Sequence, residues 1–329
     1  MSKVNAVITA VGGYLPEYIL DNQELSRMMD TSDEWITTRV GIKERHILKI
    51  EGEGTSYMAT KAVEEILQKT GVNPDDIELL ICATSSPDYV FPATAAVVAD
   101  RAGLKNAVAF DIQAACSGFI TALTMATSTI KTGQFKKAII IGAEKMSSIM
   151  NYEDRATAPL FGDGAGAVLL EPTTEEVGII DAELKTDGSG VKHLVQKAGG
   201  SVLPASHETV DQKLHYVYQE GQAVFKNAVL HMAEVSAHVM ERNNLKSEDV
   251  DWLIPHQANL RIIDAVVKRT GVDYDRVIIN IDHIGNTSAA SIPIGMWENE
   301  KKFKKGDNII LTAFGAGFTW GAVYLKWGY

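Results

Sequence analysis

The sequence predicts a layered α/β/α/β/α protein built from two homologous halves, and three observations lead there. An internal repeat is the first: VNPDDIELLI, residues 72–81, matches LKSEDVDWLI, residues 245–254, position by position in polarity. Second, runs such as Ala138–Ile141 and Ile309–Leu311 are apolar without alternation, which suits strands covered on both faces. Third, Ile112 to Ile130 is a stretch of 19 uncharged residues that nevertheless carries Gln113, Ser117, Ser128 and four threonines. That mixture fits a helix buried inside protein better than a membrane span.

The elements follow in order within each copy. A helical pattern precedes each repeated strand, residues 59–70 and 232–243, with Ala62, Ile66 and Leu67 matched by Val235, Val239 and Met240. A second helix ends in Gly103-Leu104 or Gly271-Val272, glycine standing just past the C-terminus. A further strand is expected at Ala107–Asp111 and at Val277–Ile281, running into QAACSG in one copy and HIGNTS in the other. Cys116 and Asn286 thereby become counterparts. Each copy closes on FKKAIII or FKKGDNIIL, entering an apolar strand. The expected halves are residues 1–173, carrying a nucleophile-type turn, and residues 174–329. Gln196–Gln212 lacks periodicity and reads as a loop.

Composition narrows the function. With 329 residues, 46% hydrophobic and 22% charged, the chain can bury a large core without disulfide staples. A net charge of −11 argues against a general nucleic-acid binder, because phosphate neutralisation needs excess Lys and Arg. Cys82 and Cys116 have no CxxC spacing and the eight histidines form no HxxH or HExxH group, so no metal site is expected. Two such thiols suggest a reducing, cytoplasmic setting. The opening MSKVNAVITAVGGYLPE breaks at Gly12 and Gly13 before a signal-peptide core could form.

Three residues stand out chemically. Cys116 lies between a strand and the apolar helix 117–132, where a helix N-terminus is expected to lower the thiol pKa. The alternative, a small buried hydrophobe, suits Cys82 better than a cysteine at this turn. His256 follows a strand through Pro255, at the C-terminal end where open α/β sheets place ligands; its counterpart, Ala83, has no chemistry. Alone, such a histidine is more often structural. Asn286 in GNTSAAS follows a turn-permitting Gly285 and offers an amide donor; alone it would be a helix cap. A thiol and two neutral donors from three strand ends together suit acyl transfer and enolate stabilisation. The glycine-rich segments FGDGAGA and FGAGFTWG lack a phosphate-loop ending and read as loops of close backbone packing, with an amide near Ala316 available to an oxyanion.

In its ordered motifs TSDEWITTRVGI, AACSG, FGDGAGA, PHQANLRII, GNTSAAS and FGAGFTWG, which span the chain, the sequence resembles the β-ketoacyl-(acyl carrier protein) synthase III family of the thiolase superfamily. The resemblance implies a thiolase-like five-layer αβαβα fold, a homodimer, and decarboxylative condensation of a short acyl-coenzyme A with malonyl-acyl carrier protein, with no cofactor beyond the coenzyme A thioester. It implies Cys116 as acylated nucleophile, His256 and Asn286 as donors to the malonyl thioester carbonyl, and backbone amides of Cys116 and Ala316 as oxyanion hole. Ala316 replaces the middle glycine of the family's usual triple glycine, leaving Gly317 as the other donor.

Further residues come from the same resemblance. Trp35 and Arg155 would sandwich adenine, with Thr31 nearby and Asn259 along the pantetheine path; Phe91 would line the acyl pocket across the dimer interface and favour short primers. Lys226, Arg261, Lys268 and Arg269 would dock the acidic carrier. A thiolase would need a second active-site cysteine after Cys116, and none follows; an elongating condensing enzyme would show histidine where Asn286 stands. A starter or ester-forming enzyme of a polyketide-type pathway shares the Cys-His-Asn set, and a catalytically silent carrier-binding subunit is the alternative of another class.

Overall fold

The computed structural model describes residues 4–329; Met1–Lys3, at the head of the N-terminal segment read above, lie outside the described residues. The remainder of that segment is strand β1 (Asn5–Tyr14), followed by β2 (Tyr18–Asp21), α1 (Asn22–Met28), α2 (Asp33–Val40), β3 (Glu44–Ile47) and α3 (Thr55–Thr70). Then come β4 (Leu79–Ala83), α4 (Thr94–Arg101), β5 (Val108–Ile112), α5 (Gly118–Lys131), β6 (Ala138–Lys145) and β7 (Asp163–Thr173). The chain continues through β8 (Gly178–Thr186), β9 (Leu194–Gln196), α6 (His207–Asp211), β10 (Val217–Gln219) and α7 (Gly221–Arg242). It ends with β11 (Trp252–Pro255), α8 (Leu260–Thr270), α9 (Ile281–Ile284), α10 (Ser291–Asn299), β12 (Asn308–Gly315) and β13 (Thr319–Lys326).

Two mixed sheets form the frame. The first runs β1-β7-β6-β4-β5 and the second β11-β12-β13-β8. Their strands are the apolar runs: β6 is buried over its first seven residues and β12 over its last seven. Between the sheets lie α5 and α10, each packed on strands of both. The central core accordingly joins Phe119, Leu123 and Ile130 of α5 and Ile292 and Met296 of α10 to residues of both sheets. The first sheet's outer face meets α3 and α4 through Met58, Val63, Ile66 and Val98, and the second sheet's meets α7 and α8 through Met232, Val239, Ile263 and Val266. The five layers are therefore α3/α4, sheet, α5/α10, sheet, α7/α8. The uncharged stretch after Cys116 is the middle layer, which explains why it carries threonines: Thr121, Thr124 and Thr127 each bond a carbonyl one turn back in α5.

Several boundaries differ from the sequence reading. Helices α3 and α7 begin earlier than the repeated pattern, and both α3 and α8 end at left-handed glycines, Gly71 and Gly271, with φ of 67° and 72°. Val277–Ile281 is no strand: a single bridge joins Val277 to Leu253, and the chain then turns into α9. Gln196–Gln212 contains the end of β9 and the short α6, too brief for periodicity to reveal; Ser206 caps α6 by accepting from the Thr209 N–H. FGDGAGA is mostly the start of β7 instead of a loop. A β-carbon on its Gly166 would stand 2.6 Å from the Ile294 nitrogen, so the glycines let α10 press onto the sheet.

Candidate active site

The three chemical residues reach one cavity from three directions. Cys116 sits in a short 3₁₀ turn (Ala115–Ser117) after β5, His256 follows β11, and Asn286 lies in the turn between α9 and α10; all three line a cavity of about 1470 Å³. Backbone bonds fix the latter two: His256 N–H donates to the Thr312 carbonyl at 2.8 Å, and Asn286 N–H to the Leu160 carbonyl at 2.8 Å. The residue preceding Cys116 and the one preceding Asn286 each take a positive φ, 45° at Ala115 and 66° at Gly285. In the second copy glycine absorbs this; in the first, alanine carries the strain.

The Asn286 side chain is oriented by its neighbour. Its Oδ1 accepts from the Ser288 N–H at 2.8 Å, so the amide NH₂ remains for the cavity. His256 is buried, with Nδ1 2.6 Å from the Ser291 Oγ and Nε2 without a partner among the described residues. Burial pushes its pKa down to about 3, so at neutral pH the ring is uncharged.

The thiol departs from expectation. Burial raises the pKa of Cys116 to about 12, with a smaller upward push from the Glu144 carboxylate, whereas the sequence reading expected the helix N-terminus to lower it. Helix α5 begins only at Gly118, and desolvation outweighs the end of a helix. Glu144, which the motifs did not single out, is wholly buried behind the thiol. It accepts from the Ser85 and Ser86 backbone N–H groups at 3.0 Å and from the hydroxyls of Ser86 at 2.6 Å and Thr84 at 3.2 Å. Ser288 interacts through its side chain with both Glu144 and Cys116. Nothing in the sequence spacing marks Glu144; only the folded sheet, which sets Ala83 beside Gly142, brings it near the thiol. Cys82 is also fully buried and its pKa is likewise raised by desolvation.

The final glycine-rich loop lies against Cys116: a β-carbon on Gly315 would be 2.6 Å from the Cys116 nitrogen. Ala316 also lines the cavity, and it lies outside the positive-φ residues, so alanine replaces the glycine there without strain; Gly317, at φ 137°, needs its glycine.

At the outer part of the cavity, Trp35 stands on α2, whose N-cap Ser32 accepts from the Trp35 N–H at 3.1 Å. The Arg155 guanidinium lies 4.8 Å from the Trp35 ring centroid and Arg39 4.7 Å, while Arg155 also pairs with Asp30 at 3.2 Å. Arg155 thus covers the indole against which adenine was expected to stack. Asn259 lines the cavity and caps α8 by accepting from the Arg261 N–H at 2.9 Å. Thr31 and Phe91 do not line this cavity. Thr31 is half-buried with an unpartnered hydroxyl, and Phe91 projects from its loop, 85% exposed. Lys226, Arg261, Lys268 and Arg269 are all exposed; Arg261 lines the cavity and sits over Phe225 at 5.0 Å, and Arg269 approaches Glu241 at 3.9 Å. Among the described residues, no group of three His, Cys, Asp or Glu side chains could hold a metal ion, and no helix is long and apolar enough to cross a membrane.

Comparison with known proteins decides the family. Residues 110–188 match the model of 3-oxoacyl-[acyl-carrier-protein] synthase III, and residues 240–327 match the model of its C-terminal region. A Bacteroides thetaiotaomicron protein named beta-ketoacyl-[acyl-carrier-protein] synthase III 2 is 60% identical over 329 residues, covering 100% of this chain and 98% of its own length. The chain belongs to the 3-oxoacyl-[acyl-carrier-protein] synthase III family. Among solved synthase III structures, that from Aquifex aeolicus is similar with a TM-score of 0.89 and 43% identity, covering 98% of this chain and 100% of its own. The priming β-ketosynthase of the R1128 polyketide pathway has a TM-score of 0.89 at 29% identity, over 98% of this chain and 96% of its own. As a member of the synthase III family, the chain is an acyltransferase-type condensing enzyme with the thiolase fold.

Proposed function

We propose that this chain starts fatty-acid synthesis by condensing a short acyl group, acetyl foremost, with the malonyl unit of malonyl-acyl carrier protein. The observation that carries the reading is the convergence of the Cys116 thiol with two neutral groups, His256 and the Asn286 amide, in one cavity. In the first half-reaction the Cys116 sulfur attacks the acyl-coenzyme A carbonyl. The thiol gives up its proton, the tetrahedral oxyanion is held by the backbone N–H groups of Cys116 and Ala316, and coenzyme A leaves as thiolate and takes up a proton.

Malonyl-carrier thioester then enters with its carbonyl oxygen between His256 and Asn286. Carbon–carbon cleavage releases CO₂ and moves the bonding pair into an enolate, whose oxygen the two donors stabilise without prior proton removal. The enolate carbon attacks the acyl-Cys116 carbonyl, the C–S bond breaks, and 3-oxoacyl-carrier protein departs as the thiol recovers its proton. No cofactor beyond the coenzyme A thioester enters these steps.

Coenzyme A would lie along Trp35, Arg155 and Asn259, with Arg155 swinging off the indole to admit adenine. Lys226, Arg261, Lys268 and Arg269 would dock the acidic carrier protein in a chain whose own charge repels it. We also infer a homodimer. Strand β5 is an unpaired sheet edge, its Val108 and Phe110 exposed, and the nearby loop exposes Phe91, whose ring would serve the partner's pocket. Residues 1–173 and 174–329 would be the two ancestral halves, and two free cysteines suit the cytoplasm. A polyketide-type starter role shares the same catalytic set, and the R1128 likeness favours it as the second reading. Competition among acyl-coenzyme A primers with malonyl-carrier protein tests both: preference for acetyl supports the first, and a clear preference for long or aromatic primers overturns it.

A further inference from the structure

Among the described residues, the buried His256 imidazole meets one partner at Nδ1, the Ser291 hydroxyl 2.6 Å away at the first residue of α10. Which of them holds the proton follows from counting donors and acceptors. Ser291 Oγ already accepts from the Gln257 N–H at 3.4 Å. Ser291 is itself buried, and among the described residues the acceptor within reach of its O–H is His256 Nδ1. If Nδ1–H were the donor, both the serine proton and the Nε2 lone pair would be left unpaired, whereas a donating hydroxyl leaves only the Nε2–H unpaired. The hydroxyl therefore donates to the Nδ1 lone pair, and the one proton of the neutral ring sits on Nε2. That nitrogen has no protein partner and belongs to a residue lining the cavity beside Cys116.

The repeat supplies an internal control. Thr121 stands five positions after Cys116, as Ser291 stands five after Asn286. The Thr121 hydroxyl donates to the Ser117 carbonyl of its own helix at 2.9 Å. The Ser291 hydroxyl is turned away from its own helix and onto the histidine. One half uses the position for helix geometry and the other for the site.

We propose that Ser291 is a positioning residue that fixes His256 as an Nε2–H donor and denies it the role of base. The role rests on the malonyl decarboxylation proposed above: an N–H at that position stabilises a growing enolate oxygen, and a lone pair there would repel it.

Full-length protein labelled with ¹⁵N-histidine gives the first test, with the His256 resonances assigned by their loss in His256→Ala. A long-range ¹H–¹⁵N spectrum is expected to show a protonated Nε2 and a bare, hydrogen-bonded Nδ1 from pH 5 to 8. The opposite tautomer, or a cationic ring, overturns the proposal, and this readout needs no turnover. In variants, Ser291→Ala should lose about 10-fold in malonyl decarboxylation relative to acylation by acetyl-coenzyme A, the size of one hydrogen bond, while Ser291→Thr stays within about 3-fold of wild type. Equal decarboxylation in wild type and Ser291→Ala, or equal losses in Ala and Thr, also overturns it. Wild-type protein that shows the Nε2–H tautomer yet never decarboxylates malonyl-carrier protein would refute the proposed reaction, and the role of Ser291 in it, while the tautomer assignment stood.

Discussion

Gly315 presses against the backbone of Cys116 so closely that any β-carbon would fall 2.6 Å from the Cys116 nitrogen and 3.2 Å from its Cβ. The end of β12 therefore sets the position of Cys116 as much as β5 does. Gly315→Ala forces one of the two backbones to move, at a cost of about 1–3 kcal/mol for an overpacked site. We expect a lowered melting temperature and acylation by acetyl-coenzyme A, read by intact mass, reduced at least 10-fold, about 1.4 kcal/mol of barrier. Wild-type acylation in this variant would show that the contact yields freely.

The raised pKa of the Cys116 thiol predicts an unusual pH profile. With Cys116 raised to about 12, its alkylation by iodoacetamide should climb about tenfold per pH unit from pH 7 to 10 without levelling off, because the thiolate alone reacts. A plateau below pH 9 would mean that a ligand-free site already favours the thiolate. Cys82, fully buried with its own pKa raised, should stay unlabelled in native protein.

Removing the donors should separate the half-reactions. His256→Ala and Asn286→Ala should still accept an acetyl group on Cys116, yet each lose roughly 10²-fold or more in malonyl decarboxylation. Because burial holds the histidine pKa near 3, its protonation should leave wild-type decarboxylation level between pH 5 and 8. The same depressed pKa makes a stability contribution that is present above the ordinary value of 6.5 and is lost as pH falls toward 3, since the unfolded chain takes up the proton first. A variant that condensed normally would remove that residue from the mechanism.

Charge reversal at Arg261 or Lys268, both exposed on α8, should raise KM for malonyl-carrier protein with little effect on acylation by acetyl-coenzyme A. Added salt should weaken the wild type in the same selective way. Equal losses with both substrates would point to a folding defect.

Phe91→Thr should shift kcat/KM toward butyryl or branched C4 to C5 primers by roughly 10- to 100-fold relative to acetyl if the ring fills a neighbouring subunit's pocket. An unchanged primer ranking would assign the pocket depth to another residue.

The α/β class, its layers and the motifs around Cys116, His256 and Asn286 were legible because each leaves a local mark. Repeats preserve polarity position by position, as in VNPDDIELLI, and strand ends carry Cys116 and His256. What escaped was whatever depends on distance through space. Val277–Ile281 is as apolar as any strand but meets only Leu253, so no ladder forms. The acidity of Cys116 could not be read from its place before α5, because burial and Glu144, 28 positions later, act on it through the fold. Thr31 sits in a matching motif yet does not line the cavity, and Ser32, not Thr31, caps α2.

The protonated state of Cys116 also bears on how such an enzyme survives oxidative stress. Peroxides and soft electrophiles attack thiolates, and the sulfinic and sulfonic acids that follow are not readily reversed. A half-buried Cys116 kept in its thiol form offers them little to react with. Its exposure to damage is then confined to the moment when a thioester already occupies the cavity and reacts first.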